Sequence, residues 1–312
     1  MWSRRLAGLL VTLPLLAASA AHGACPGTDE AAMEWLQKMV HSVHSASYQG
    51  VVTLQRNGEM QIMHVSHQVQ GDASSERLTQ LTGQGAQVDR ASHPISCVHP
   101  GQKLLEIGRD LEAGYCGIAE RYRFSMDGRE RIAGRSAVRI RVEPRDVYRF
   151  GYLMSLDRET GLLLKAETLG KGDAVLEKFQ FANLDYGAGS PAVTDVDVVH
   201  QAQHPSPVQD FRGSALGQAW TVQWLPGGFS ATDAPPGVAA RRTYTDGLAV
   251  FSVFLEELER ELRPGEGHVR SGGTTTYTRG MRLGGLPVLV TVIGEVPLNT
   301  ARMVADSIIW VP

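Results

Sequence analysis

Histidines are the residues of this chain best able to do chemistry, and there are ten of them. A protein zinc site needs three or four ligands held by a supporting shell. His41 and His44 are spaced to share a helix face, as are His200 and His204 if that stretch is helical. His64 and His67 fall on opposite faces of a strand, because odd spacing alternates sides. Cys97 and His99 share a side but have no further ligands beside them. No set is complete, so solvated histidines account for the pattern, and neither a metal nor a cofactor is expected.

Carboxylates come next. Asp195 with Asp197, Glu256 with Glu257, and Glu259 with Glu261 are paired in sequence. Glycoside cleavage needs two carboxyls facing each other across a sugar-sized cleft. These pairs sit in a linker and on a loop edge, where solvated charge explains them better. There is no Gly-x-Ser-x-Gly elbow, no phosphate loop and no dinucleotide fingerprint. The run from Tyr244 to Phe254 turns at Asp246-Gly247 and continues as an apolar strand, without base, thiol or ligand set. The absence of an acid, base and nucleophile set points to a binder, with no catalytic residues.

Three cysteines are present. Cys97 and Cys116 flank a loop centred on Pro100-Gly101 and could pair after export. Such a bridge would contribute about 3 kcal/mol on the chain-entropy model. The spacing leaves the bridge and the free thiols both open. Arg241-Arg242 could receive an acidic peptide or a phosphate. It could equally be a charged strand edge that discourages strand addition.

These residues must be positioned by elements that the pattern makes visible. Residues 1–24 read as an export signal, with Arg4 and Arg5 before an apolar run and small residues at Gly23 and Ala24. His22 stands where a lipoprotein signal wants an aliphatic residue, which speaks against lipidation of Cys25. Without Arg4 and Arg5, 28 basic residues face 33 acidic ones, a formal charge of −5 that argues against a nucleic-acid partner. Four parts are expected: a signal peptide at 1–24, a β domain at 25–186, a linker at 187–217 and a small domain at 218–312.

In the first domain, Thr28 should cap a helix whose inner face is Ala32, Leu36, Met39, Val40 and Val43. Asn57-Gly58 should close a hairpin that sets Arg56 against Glu59, Leu54 against Gln61 and Val52 against Met63. An antiparallel meander should follow. In it Val138, Ile140, Val142, Phe150, Tyr152, Met154 and Leu156 face an apolar side, and charged residues face water. A short ordered piece is expected at Val196 to Val199 within the linker. In the second domain, Trp220, Val222 and Trp224 should alternate. Strands are expected at 241–245, 248–255, 274–283 and 286–294. A closing helix capped by Asn299 or Thr300 should point Met303, Val304 and Ile308 inward. The fold class is α+β.

Several runs carry a resemblance. They are Tyr48-Gln49-Gly50, Arg131-Ile132-Ala133-Gly134-Arg135, Val142-Glu143-Pro144-Arg145-Asp146, Leu156 to Leu162 and Leu176 to Phe181. Further along come Trp224-Leu225-Pro226-Gly227-Gly228-Phe229, Tyr244 to Phe254 and Val292 to Pro297. Together they resemble the MucB/RseB family, periplasmic regulators of sigma-E type (AlgU-like) envelope-stress sigma factors. The resemblance implies a lipoprotein-carrier-like, half-open antiparallel β-barrel with helices, followed by a small antiparallel sheet with one packed helix. It implies a periplasmic protein that binds the periplasmic segment of a MucA/RseA-like transmembrane anti-sigma factor and shields it from proteolysis. Lipid-bearing envelope molecules would release it. It implies no enzymatic activity.

On this reading Val52, Leu54, Met63, Phe150, Tyr152 and Met154 are candidates to line an acyl-chain site. Arg241, Arg242 and Tyr244 are candidates to contact the peptide. Homo-oligomers are also expected to be feasible. The alternative function is a periplasmic lipid or lipoprotein carrier, which would have no need of the second domain.

Overall fold

The computed structural model describes residues 27–70, 73–82, 87–91, 116–187, 199–201, 220–232, 241–258 and 265–311. The export signal, Cys25, Cys97, His204, the two acidic pairs at 195/197 and 259/261, and most of the linker lie outside these residues.

Helix α1 (Glu30–Ser45) is capped by Asp29, whose carboxylate accepts the Ala31 amide at 3.0 Å. Thr28 was expected there. The Asp29 amide is bonded to the Phe124 carbonyl at 2.9 Å, which fixes the helix start one residue later. Ala32, Met33, Leu36 and Met39 form the buried face of α1.

Strands β1 (Tyr48–Arg56) and β2 (Glu59–Gln70) meet in the expected register, Val52 opposite Met63 and Arg56 opposite Glu59. Asn57 and Gly58 both have positive φ, 52° and 82°, as a two-residue hairpin of this hand requires. The first sheet continues through β3 (Ala73–Gln80), β4 (Gln87–Ala91), β5 (Tyr122–Ile132), β6 (Arg135–Pro144), β7 (Gly151–Asp157), β8 (Leu163–Leu169), β9 (Val175–Tyr186) and β10 (Val199–Gln201). Its order is β10-β4-β3-β2-β1-β9-β8-β7-β6-β5. Among the described strands only the β10–β4 pair is parallel. β10 begins at Val199, the last residue of the stretch of linker expected to be ordered, and the rest of that stretch lies outside the described residues.

The sheet is open, with β5 and β10 at its two ends. β5 nevertheless approaches β9, four places away, to within 8 Å between Cα atoms. A flat sheet would hold them about 19 Å apart at the usual strand spacing. The sheet therefore curls into the expected half-open barrel. Two apolar clusters fill it. Leu36, Tyr122, Phe124, Ile140 and Leu156 pack beneath α1, while Val52, Ile132, Leu164 and Phe181 pack on the curled side.

Alternation holds on β6, where Val138, Ile140 and Val142 are buried and Arg139 and Arg141 reach Asp127. It fails on β7, where Leu153, Ser155 and Asp157 are buried as well. The face expected to be wet is closed by polar pairing. Ser155 donates to Glu130, and Asp157 accepts from Arg135 and, at 2.8 Å, from Tyr186.

The second unit has a six-stranded antiparallel sheet of order β12-β13-β14-β17-β16-β15. Its strands are β12 (Ser230–Ala231), β13 (Arg241–Thr245), β14 (Val250–Glu257), β15 (Glu266–Ser271), β16 (Thr274–Leu283) and β17 (Leu286–Gly294). Helix α2 (Leu298–Asp306) packs on it through Ala301, Val304 and Ala305. A small pair, β11 (Trp220–Val222) with β18 (Ile308–Trp310), closes the unit. Two expectations at α2 need correction, the cap and Met303. Pro297 is the cap, so Asn299 and Thr300 lie inside the helix. Ile308 is buried as expected, but on β18. Met303, expected inward, is 37% exposed. Among the described residues no helix is long and apolar enough to cross a membrane.

Candidate functional site

The two units are joined by a buried ion pair. Asp246 and Gly247 turn the chain between β13 and β14, with Gly247 at φ 104°. One Asp246 carboxylate oxygen accepts the Leu248 and Ala249 amides, at 3.0 and 2.9 Å, which shapes the turn. The other accepts Tyr122 Oη at 2.9 Å and Arg149 Nε at 2.7 Å, both from the first unit. The Arg149 and Asp246 side chains are both 0% exposed. Arg149 also donates to Asp146 and to the Gly227 carbonyl. Its guanidinium lies 5.1 Å from the Phe229 ring and 5.8 Å from that of Tyr122. Burial alone would weaken its hold on the proton, but the bond and charge of Asp246 outweigh this and raise the Arg149 pKa. Burial, with the nearby Tyr152 and Asp246, likewise pushes the Tyr122 hydroxyl up.

Apolar and neutral contacts extend this joint. Leu248 enters the cluster beneath α1. Tyr148 packs edge-on against Trp224 at 5.1 Å. Thr300 donates to the Tyr148 carbonyl at 2.9 Å, and Asn299 to that of Val147 at 3.2 Å. Those two residues, expected as helix caps, therefore hold the first unit instead. At the far end, Asn57 accepts the Gly272 amide at 3.0 Å. Glu177 there accepts Arg56 at 3.0 Å and the Gly273 amide at 3.3 Å.

Between these anchor points opens a cleft of about 880 Å³ shared by both units. Phe150, Leu169, Val147, Pro297 and Leu298 give it apolar walls. Lys171 and Arg270 bring positive charge to it, while Arg141 is paired with Asp127 and Asp173, Glu143 with Arg123, and the fully buried Arg149 with Asp246 and Asp146. His268 and Arg270 of β15 lie exposed along one lip. The Thr275 hydroxyl, in a residue 1% exposed on the cleft wall, has no hydrogen-bond partner. A concave, mostly apolar surface with a few placed polar groups is suited to holding a ligand or a chain segment.

The candidates named from sequence fall in separate places. Val52 and Met63 pack with Phe181 on the curled side, and Leu54 lies half-buried on the same strand. Tyr152 and Met154 belong to the cluster beneath α1. Phe150 alone faces the cleft. Arg241 is exposed, and Arg242 stacks 4.3 Å over the Trp220 ring. Tyr244 is 5% exposed and stacked on Phe251, so it is a core residue. Cys116 is in a disulfide, and Cys97 lies outside the described residues. His67 is buried and stacked on Tyr48 at 5.1 Å, which corrects its reading as solvated. Glu256 and Glu257 are exposed at the end of β14. Among the described residues no three metal-ligating side chains gather.

Sequence reasoning missed Arg149, His268 and Arg270, and took Asp246 only as a turn. A signal was present, since three of the runs named above contain residues of the joint: Val142 to Asp146, Trp224 to Phe229, and Tyr244 to Phe254.

Comparison with known proteins agrees with this architecture. The MucB/RseB N-terminal domain model matches residues 31–205, and the C-terminal domain model matches residues 214–309. The chain is 35% identical to the sigma factor AlgU regulatory protein MucB of Pseudomonas aeruginosa, over 91% of this chain and 93% of that protein. It is 26% identical to the sigma-E factor regulatory protein RseB of Salmonella typhimurium, over 96% and 97% respectively. Superposed on the crystal structure of MucB in complex with MucA(peri), it gives a TM-score of 0.70 at 32% identity, covering 90% of this chain and 99% of that one. Against the crystal structure of MucB alone the TM-score is 0.60 at 32% identity, covering 90% and 98%. By both domain models and by identity along nearly its whole length, the chain belongs to the MucB/RseB family.

Proposed function

We propose that this protein is a non-catalytic periplasmic regulator. It holds the periplasmic segment of a transmembrane anti-sigma factor in the cleft between its two units. Occupied in this way, the segment is shielded from proteolysis and the envelope-stress sigma factor stays restrained. The observation that carries this reading is the cleft itself. It is built jointly by two units locked in one orientation, in a chain whose fit is better to MucB bound to MucA(peri) than to MucB alone. Lys171 and Arg270 on the cleft favour an acidic segment. Arg241, exposed on the β13 edge, offers a second contact point outside the cleft.

Release by a lipid-bearing molecule belongs to the same proposal. The half-open barrel supplies the apolar interior, with Met63, Leu54 and Tyr152 only partly buried. A lipid that prefers an arrangement with a poorer cleft weakens peptide binding, and the peptide weakens lipid binding by the same factor. The domain bounds at 186/187 and 217/218 are part of this proposal.

Titrating the full mature chain with the periplasmic segment of its cognate anti-sigma factor tests the reading. Micromolar or tighter binding, and slower cleavage of the bound segment, are expected. Absence of binding at micromolar protein counts against it. Removing residues 216–312 should abolish peptide binding, whereas a lipid carrier would keep its lipid and its function.

A further inference from the structure

Among the described residues, β15 is the one long and regular strand edge left unpaired. The first sheet ends in β10, three residues long, and in β5, whose register shifts between Met126 and Arg129 and which curls toward β9. The second sheet ends in β12, two residues long, and in β15. Short strands and bulges blunt an edge against further pairing, as do proline and lysine along it. β15 has none of these. It pairs with β16 in unbroken register from Glu266 to Ser271 and reads Glu-Gly-His-Val-Arg-Ser.

The phase of that pairing decides which backbone groups face outward. The Gly280 amide donates to the Gly265 carbonyl at 3.4 Å, so these two residues form a bonded pair. Bonded and non-bonded pairs alternate along an antiparallel ladder. Gly267, Val269 and Ser271 are therefore bonded to β16, and Ser271 with Thr274 closes the two-residue turn at Gly272-Gly273. The amides and carbonyls of Glu266, His268 and Arg270 point away from the sheet, on exposed residues, with no partner among the described ones.

Side chains at alternate positions share a face. Glu266 is turned to Tyr277 and Arg302, which answers its charge within the second unit. His268 and Arg270 line the cleft. No hydrogen bond or ion pair engages Arg270 among the described residues, and none engages Lys171 on the wall that the first unit supplies.

We infer that the anti-sigma segment adds to β15 as a further strand of the six-stranded sheet: an extended, acidic stretch whose backbone pairs with His268 and Arg270 and whose alternate side chains enter the cleft toward Arg270 and Lys171. Backbone bonds to a sheet edge supply affinity in such a mode, and alternate side chains supply specificity. The inference rests on the proposed function and deepens it, since the edge is continuous with the cleft and the free charges on both are positive.

His268→Pro tests it. Proline removes the outward amide and leaves the Gly267 and Val269 amides to β16, an arrangement that strand edges tolerate. His268→Ala measures the share of the side chain alone. Affinity of the mature chain for the periplasmic segment of its cognate anti-sigma factor should fall about tenfold further in the proline variant than in the alanine variant. In the unaltered protein, hydrogen exchange at the His268 and Arg270 amides should slow about tenfold with free segment at about ten times its dissociation constant. The Gly267 and Val269 amides serve as the reference.

Equal affinity of the two variants, or unchanged exchange at His268 and Arg270 in a complex that forms, overturns strand addition and leaves the cleft reading standing. Slow exchange at both amides in the free protein gives the edge to this chain itself, and protection that grows with protein concentration gives it to a second copy. Either result also overturns the inference. Failure of the unaltered protein to bind the segment at micromolar protein removes the proposed function and the inference together. Should the proline variant fail to fold, exchange in the unaltered protein decides.

Discussion

Asp246→Asn is the sharpest perturbation of the joint. Asparagine keeps the shape and can still accept the Leu248 and Ala249 amides through its carbonyl oxygen. Its amide nitrogen then faces Arg149 Nε, donor against donor, while the Tyr122 hydroxyl can turn to accept from it. The guanidinium stays fully buried but loses the countercharge that stood 2.7 Å away. Breaking a buried pair by removing one partner costs about 3–5 kcal/mol. Asp146 still contacts Arg149, but its side chain is 31% exposed and water screens it. The expected loss is therefore toward the lower end, about 3 kcal/mol.

Urea unfolding of the mature chain, followed by tryptophan fluorescence, measures this. Trp35 reports on the first unit and Trp220, Trp224 and Trp310 on the second. The two units should unfold together in the unaltered protein and at separate midpoints in the variant. Combining Asp246→Asn with Arg149→Met should cost less than the sum of the single changes, by at least about 2 kcal/mol of coupling. A single variant within about 1 kcal/mol of the unaltered protein, with one shared transition, would refute the argument that this pair fixes the joint.

Two further outcomes follow from the geometry. Gly294→Ala places a Cβ 2.3 Å from Phe251 Cα and the Val250 carbonyl oxygen, backbone atoms that cannot step aside. It should cost about 3 kcal/mol or more by thermal unfolding, and a loss below about 1 kcal/mol would contradict that close approach. Arg270→Glu reverses an exposed charge on the cleft lip without touching either core. Stability should change by less than about 0.5 kcal/mol. Affinity for the anti-sigma segment by calorimetry should fall about tenfold at low salt and less at high salt, and an unchanged affinity would remove the lip from the binding surface.

Much of the fold is legible in the chain because its strands bury one face and are bounded by turns. The Asn57-Gly58 hairpin, the alternation on β6, and the full extents of β16 and β17 all follow from two-residue periodicity and turn chemistry. The misses have the opposite character. β15 reads Glu-Gly-His-Val-Arg-Ser and leaves Val269 68% exposed, so no buried face announces it as a strand. β18 follows α2 almost without a break, so Ile308 reads as the continuation of a helical stripe. β7 is closed on its polar side by ion pairs that sequence spacing does not reveal. The joint was least legible of all. Asp246 is plain as a turn residue, but its partner Arg149 lies 97 positions away, and no local pattern couples a turn to a loop in another unit.

That the joint is polar bears on what the molecule does. A purely apolar seam would hold the units at least as firmly, since burying two charges costs more solvation than their attraction reliably returns. It would hold them with less definition, because apolar surfaces slide past one another while keeping most of their contact. Four groups converging on one carboxylate, and three acceptors converging on one guanidinium, permit a single orientation. A carrier working from its first unit alone has no use for such a fixed angle. A cleft whose walls come from both units depends on it, because a small rotation would part Phe150 and Leu169 from Pro297 and Leu298.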